Sequence, residues 1–237
     1  VDTDQPLRHG VRKLILFDID GTLARGGPAK EAFSLAMMAT FGSVGAIESY
    51  DFSGKTDPQI ARDLLSATGI EDAVIDAGLP ALWDAYISEL ESRIMADPMK
   101  LLPGVGELVE TLRLAGDVAL GLVTGNIVRG ARLKLGSVGL AEYFQAGGYG
   151  SDHEVRDHLP GFAVDRAVDT WGITFSEESV VVIGDTPRDV QCGKHHGTRT
   201  VAVATGRFDE WQLKETGADA VFEDFSDVDR VVEVLLE

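Results

Sequence analysis

Leu14-Ile15-Leu16-Phe17-Asp18-Ile19-Asp20-Gly21-Thr22-Leu23 decides how this chain is read. The apolar run Leu14 to Phe17 has the composition of a strand buried on both faces. Gly21 and Thr22 form the turn that follows it. Side chains alternate along a strand, so Asp18 and Asp20, two apart, share a face. They then lie together at the carboxyl end of a central strand, the edge where open α/β sheets hold ligands. Two close carboxylates repel, so the place calls for a cation or a shared proton. A hard divalent ion such as Mg²⁺ suits oxygen ligands. Acids also cap strands and turns without further purpose, so the pair gains meaning from what else converges on it.

Outward from this stretch, strands and helices alternate from residue 100 onward. Val118 to Val123 is an apolar, β-branched strand ending at Thr124-Gly125-Asn126. Ser179 to Ile183 ends at Gly184-Asp185, Thr200 to Val203 ends near Thr205-Gly206, and Asp219 to Phe222 is shorter. Helical patterns lie between them over Gly104–Ala115, Val128–Gly136, Phe162–Trp171, Pro187–His196 and Val228–Leu236. Pro103-Gly104 and Thr186-Pro187 mark helix starts. This alternation predicts an α/β fold with a doubly wound, mostly parallel sheet. Residues 26–97 break the rhythm with helical patterns over Ala29–Phe41, Asp57–Thr68 and Pro80–Ala96, and no buried strand is expected there. Gly26-Gly27-Pro28 and Asp97-Pro98 read as hinges. The expected organisation is a catalytic core of residues 1–25 and 98–237, opening with a polar tail over 1–12, and an inserted helical cap domain over 26–97.

The chain has 237 residues and 44% hydrophobic content, enough for a sizeable core. Asp plus Glu number 39 against 21 for Lys plus Arg, a net charge of −18. That balance disfavours nucleic acid and anionic membrane as partners. Cys192 is the one cysteine, which rules out an internal disulfide and a thiolate zinc cluster. Val1-Asp2-Thr3-Asp4 is acidic and unlike a signal peptide, and no apolar run approaches the ~18 residues of a membrane span. A cytoplasmic protein, monomer or homodimer, is the expectation.

Chemistry-bearing residues sit at three strand ends: Asp18 and Asp20; Thr124, Gly125 and Asn126; and Asp185 with Asp189 one helical turn further on. Each segment alone is common. Their order, each after an apolar strand, is not. On these residues the chain resembles the haloacid dehalogenase superfamily of phosphatases, in the group with a helical cap after the first strand that includes phosphoglycolate phosphatases and β-phosphoglucomutases. The resemblance runs from about Lys13 to the C-terminus: hhhhDxDGT at Leu14–Thr22, a strand ending in Thr at Leu122–Asn126, and GDxxxD at Gly184–Asp189.

The third motif departs. The family places a Lys upstream of the fourth motif, and no Lys stands between Lys134 and Lys194. Arg156 lies at the expected distance. It keeps the charge and can bind phosphate bidentately, though it is no copy of Lys. Its competing reading is a loop charge paired with Asp152 or Asp157. Lys134 and Lys194 are expected on exposed helix faces.

The resemblance implies that Asp18 attacks the phosphorus of a phosphomonoester to give an aspartyl-phosphate. It implies that Asp20 protonates the leaving alkoxide and then deprotonates the attacking water. It further implies Mg²⁺ held by Asp18, the backbone carbonyl of Asp20 and Asp185, with Asp189 a ligand or a neighbour of the ligands. Thr124, Gly125, Asn126 and Arg156 would hold the phosphoryl oxygens. Dehalogenases of the superfamily lack the second Asp, so the intact pair favours phosphoester chemistry. The expected substrate is a small phosphorylated metabolite. A phosphomutase sharing the aspartyl-phosphate is the main alternative, and a receiver-like phospho-acceptor domain a further one.

Other signals carry less. Gly54-Lys55-Thr56 resembles a P-loop tail, but Ser49 stands where that pattern needs Gly. The stretch looks instead like a cap loop reaching the site, with Lys55 a candidate substrate contact and Thr56 or Asp57 a helix N-cap. Gly147-Gly148-Tyr149-Gly150 reads as a strand end and turn. His195-His196 reads as a solvated helix end, Cys192 as a small buried side chain, and Trp83, Trp171 and Trp211 as packing residues.

Overall fold

The structure is a computed structural model that describes residues 10–237. The expected features of the first nine residues, most of the polar tail and the acidic start, lie outside the described residues. Six strands form a parallel sheet in the order β5-β4-β1-β6-β7-β8: β1 Lys13–Phe17, β4 Val118–Thr124, β5 Ala146–Tyr149, β6 Val180–Gly184, β7 Arg199–Val203 and β8 Ala220–Phe222. The central strand β1 is flanked by β4 and β6, with Phe17 level with Leu122 on one side and Ile183 on the other. Every residue of β4 and β6 is buried, as their continuous apolar runs require.

The alternation of β1 divides the core. Ile15 and Phe17 pack into the cluster under α4 (Val105–Leu114), α5 (Val128–Gly136) and α9 (Val228–Leu236). Leu14 and Leu16 pack on the other face, beneath α6 (Leu159–Trp171) and Cys192 of α7 (Pro187–His195). The doubly wound reading therefore holds.

Residues of the insertion form α1 Ala29–Phe41, α2 Asp57–Ser66 and α3 Asp72–Ile94, with a hydrophobic cluster of their own that also takes in Ile127 from the core. Several details differ from the sequence reading. Helix α3 begins eight residues before Pro80 and runs through it. Ile75 is fully buried and Gly78 lies against the Phe41 ring, so packing on α1 outweighs the proline. The hinges carry a short antiparallel pair, β2 Ala24–Gly26 with β3 Met99–Leu101. Ala146–Tyr149 is the edge strand β5 and Gly150 opens the turn after it, so Gly147–Gly150 is a strand end and turn as expected. Its Gly147 and Gly148 allow close approach: a Cβ on Gly148 would lie 2.0 Å from the Leu159 carbonyl. A further helix, α8 Glu210–Glu215, is opened by an Asp209–Gln212 capping box. It leaves Trp211 69% exposed, so that tryptophan is not a packing residue.

Candidate active site

The carboxyl ends of β1, β4 and β6 bring Asp18, Asn126 and Asp185 around one cavity of about 350 Å³. Asp18 follows β1 and is buried, its backbone N–H bonding the Ile183 carbonyl. Asp185 follows β6. Asp189 sits in the first turn of α7, where its Oδ2 accepts from the Thr186 N–H at 2.9 Å and the Thr186 hydroxyl at 2.7 Å. That reciprocal cap fixes the carboxylate.

One oxygen each of Asp18, Asp185 and Asp189 falls within a 4.8 Å cluster. Burial, then Asp189 and Asp18, pushes the Asp185 carboxyl up to about 9. Burial likewise raises Asp18 to about 6 against the pull of Arg156. Such mutual repulsion is what a bound cation relieves. The backbone is shaped for it: a Cβ on Gly21, at φ +89°, would lie 2.3 Å from Asp185 Oδ2, and one on Gly206 only 1.7 Å away. The donor set is all oxygen and fits a hard divalent ion.

Arg156 is 5% exposed, and a single guanidinium nitrogen bonds Asp189, the Asp18 carboxylate at 3.1 Å and the Val123 carbonyl at 3.2 Å. Its alternative partners are taken: Asp152 pairs with Arg166 and Asp157 accepts from Gln191. The loop-charge reading of Arg156 does not describe this structure.

The exposed-face expectation for Lys134 is corrected. It is 5% exposed, and its Nζ holds both oxygens of Asp20 at 2.8 and 2.7 Å. The signal lay in the spacing: Gly130, Ala131, Lys134 and Leu135 form the buried face of α5. Lys194 is exposed, as read. Asn126 Nδ2 also donates to Asp20, at 2.8 Å, and to the Thr124 hydroxyl oxygen at 2.8 Å. Burial alone would raise the Asp20 carboxyl, but Lys134 and Asn126 outweigh it and hold it below the ordinary value. Asp20 is thus engaged by Lys134 and Asn126 and is not a member of the carboxylate cluster. Gly125 and Asn126 line the cavity, and Thr124 lies buried behind them.

The insertion closes over this edge. Thr56 caps α2, accepting from the Gln59 N–H, and its hydroxyl donates to the Glu154 carbonyl at 2.6 Å. The Asp57 N–H bonds the Gly125 carbonyl at 2.7 Å, and Asp57 Oδ2 accepts from the Ile127 N–H at 2.8 Å. A Cβ on Gly125 would lie 2.1 Å from the Lys55 carbonyl oxygen. Lys55 lines the cavity, but its Nζ is bound by the Tyr50 hydroxyl at 2.6 Å and Asp63 at 2.8 Å. Tyr86 and Gly206 join the site without having been singled out from sequence, and Asp57, read as the end of the cap loop and a possible N-cap, lines the cavity too. An acid in the first turn of a helix reads as a dipole partner, and a tyrosine at helical spacing reads as core.

The haloacid dehalogenase-like hydrolase profile matches residues 15–203. An N-acetylmuramic acid 6-phosphate phosphatase of Pseudomonas putida is 29% identical over 225 residues, covering 94% of this chain and 97% of the relative. A phosphoglycolate phosphatase of Synechococcus elongatus is 28% identical over 227 residues, covering 94% and 98%. Among solved structures, a hydrolase from Pseudomonas syringae superposes with a TM-score of 0.67 at 20% identity, covering 94% of this chain and 99% of that one, a likeness of fold. Among the described residues no helix is long and apolar enough to cross a membrane. With the profile spanning most of the chain and the same fold recovered by superposition, this chain belongs to the haloacid dehalogenase-like hydrolase family.

Proposed function

We propose that this protein is a Mg²⁺-dependent phosphatase that hydrolyses a small-molecule phosphomonoester through an aspartyl-phosphate, with residues 26–97 acting as a cap over a core of 1–25 and 98–237. The observation that carries this reading is the division of labour between neighbouring acids. Asp18 belongs to the three-carboxylate cluster, and Asp20 is bound by Lys134 and Asn126 instead. That difference supports Asp18 as nucleophile and Asp20 as proton carrier.

In this reading Asp18 attacks phosphorus and the bond to the ester oxygen breaks. Lys134 and Asn126 favour the Asp20 anion, so the donor is its minor protonated form, which gives its proton to the departing alkoxide. Water then attacks the aspartyl-phosphate, Asp20 takes a proton from it, and the bond to Asp18 breaks to release phosphate. Asp18 and Asp185 would hold Mg²⁺, with Asp189 behind them, and the ion would neutralise charge between the anionic nucleophile and the anionic phosphate. Arg156 orients Asp18 and Asp189. Gly125 and Asn126 face the place where phosphoryl oxygens gather charge. Relatives named for phosphoglycolate and for N-acetylmuramic acid 6-phosphate support phosphomonoester chemistry and leave the organic group open.

The test is hydrolysis of p-nitrophenyl phosphate and acetyl phosphate by the purified protein with and without Mg²⁺. Turnover should require the metal, and Asp18→Asn should abolish it. Full turnover in that variant would end the nucleophile assignment.

A further inference from the structure

We propose that the cavity wall facing the insertion is a subsite for an uncharged, hydroxylated organic group, so that the substrate is a polyol or sugar phosphate rather than a phosphorylated carboxylic acid. This rests on the phosphatase reading and narrows it.

The first observation is a pair of unmatched polar groups. Tyr86 lines the cavity, is 2% exposed, and among the described residues its hydroxyl has no hydrogen-bond partner. Its ring is fixed edge-on against Phe33, centroids 5.3 Å apart. Asp57 also lines the cavity. One of its oxygens accepts from Ile127, while the other has no partner among the described residues. Both groups open onto the cavity, and a phenol and a carboxylate oxygen with no protein partner suit a ligand that both donates and accepts. A hydroxyl does both.

The second observation is the charge inventory. Four cations line the cavity, and each already holds a carboxylate: Lys134 holds Asp20, Lys55 holds Asp63, Lys30 holds Glu48, and Arg156 holds Asp18 and Asp189. The exposed Arg188 stands outside the lining. A carboxylate on the substrate would meet Asp57 on this wall, while the unpartnered Nε of Arg156 lies with Asp18 and Asp189 instead, and like charges brought together away from water cost several kcal/mol. The third observation is the apolar surface between these groups. Phe33, Phe52 and Ile60 share the wall. Apolar faces beside a carboxylate and a phenol match a polyol, whose C–H and O–H groups need both. At about 350 Å³ the space lies near the lower end of ligand pockets, roughly 300–1,000 Å³.

The experiment compares two substrates that share a six-carbon chain and differ at one end, sorbitol 6-phosphate and 6-phosphogluconate, with p-nitrophenyl phosphate as the reference. The wild-type enzyme should favour sorbitol 6-phosphate by at least about tenfold in kcat/KM. Asp57→Asn should shrink that preference by about tenfold through a gain on 6-phosphogluconate. Tyr86→Phe, which keeps the ring and its packing, should lower kcat/KM for sorbitol 6-phosphate about five- to tenfold and serves where the Asp57 variant fails to fold. Wild-type preference for 6-phosphogluconate, or a ratio unmoved by both variants, overturns the subsite while the phosphatase reading stands. No turnover of p-nitrophenyl phosphate by the wild type overturns both.

Discussion

Lys134 on α5 grips both carboxylate oxygens of Asp20, 114 positions earlier in the chain, and is itself almost wholly buried. In the proposed mechanism, a cation so placed positions the proton carrier. Lys134→Met should therefore lower kcat/KM for an alkyl phosphate by about a hundredfold, the scale of general acid–base catalysis. Acetyl phosphate expels a carboxylate that needs no proton, so its loss should be less than about fivefold. Steady-state kinetics on the two substrates decide the matter. Equal losses would reduce Lys134 to a phosphate contact.

Arg156 is the counter-ion for two buried carboxylates. Arg156→Ala should destabilise the fold by about 3–5 kcal/mol in urea unfolding, because it strands Asp18 and Asp189 without their cation. Arg156→Lys keeps the charge but loses the fork, and should cost only about 1–2 kcal/mol. Equal stability of the alanine variant and the wild type would show that the pairing contributes nothing.

The carboxylate cluster should report its own cation. Mg²⁺ at a hundred times its Kd should stabilise the protein by about 2.7 kcal/mol, seen as a Tm rise that EDTA reverses. Asp185→Asn should remove the rise. Gly206→Ala should remove it too, since its Cβ would stand 1.7 Å from Asp185 Oδ2. A full Tm rise in Asp185→Asn would place the ion elsewhere.

Asp57 should make stability depend on pH in a known direction. Desolvation raises its carboxyl from the ordinary 3.8 to about 6, opposed by Lys134 and the Ile127 N–H. Between those values the folded chain keeps a proton that the unfolded chain releases. The stability from this group is full below pH ~4 and is lost as pH rises through about 6. Asp57→Asn escapes that loss, so its stability relative to wild type should improve by on the order of 2–3 kcal/mol between pH 4 and pH 7. Chemical denaturation at both values tests this. A difference that stays flat with pH would mean that Asp57 titrates normally.

The sheet was legible because its central strands carry the unbroken apolar runs Leu14–Phe17, Val118–Val123 and Val180–Ile183 until they end in Asp18, Thr124 and Gly184-Asp185. Burial and chemistry are written side by side there. β5 was harder, because Gly147 and Gly148 are chosen for close backbone approach and carry no strand propensity. Local rules start helix α3 at Pro80 because they do not see Phe41 packing across from Gly78. Lys134 differs for the opposite reason: its charge argues for solvent, while its position on the buried face of α5 puts it inside. Tyr86 and Gly206 act through distances to residues far away in sequence, and nothing in their neighbours announces that; the loop before Asp57 points to the site, but not the carboxylate's own part in it.

The seam between Lys55 and Gly125 has a kinetic consequence. The Thr56 hydroxyl and the Asp57 N–H tie the insertion to the loops carrying Glu154 and Asn126, while Asp20 stays 47% exposed beside them. Substitutions along this strip should change how fast ester enters and phosphate leaves, at residues that never meet the phosphorus.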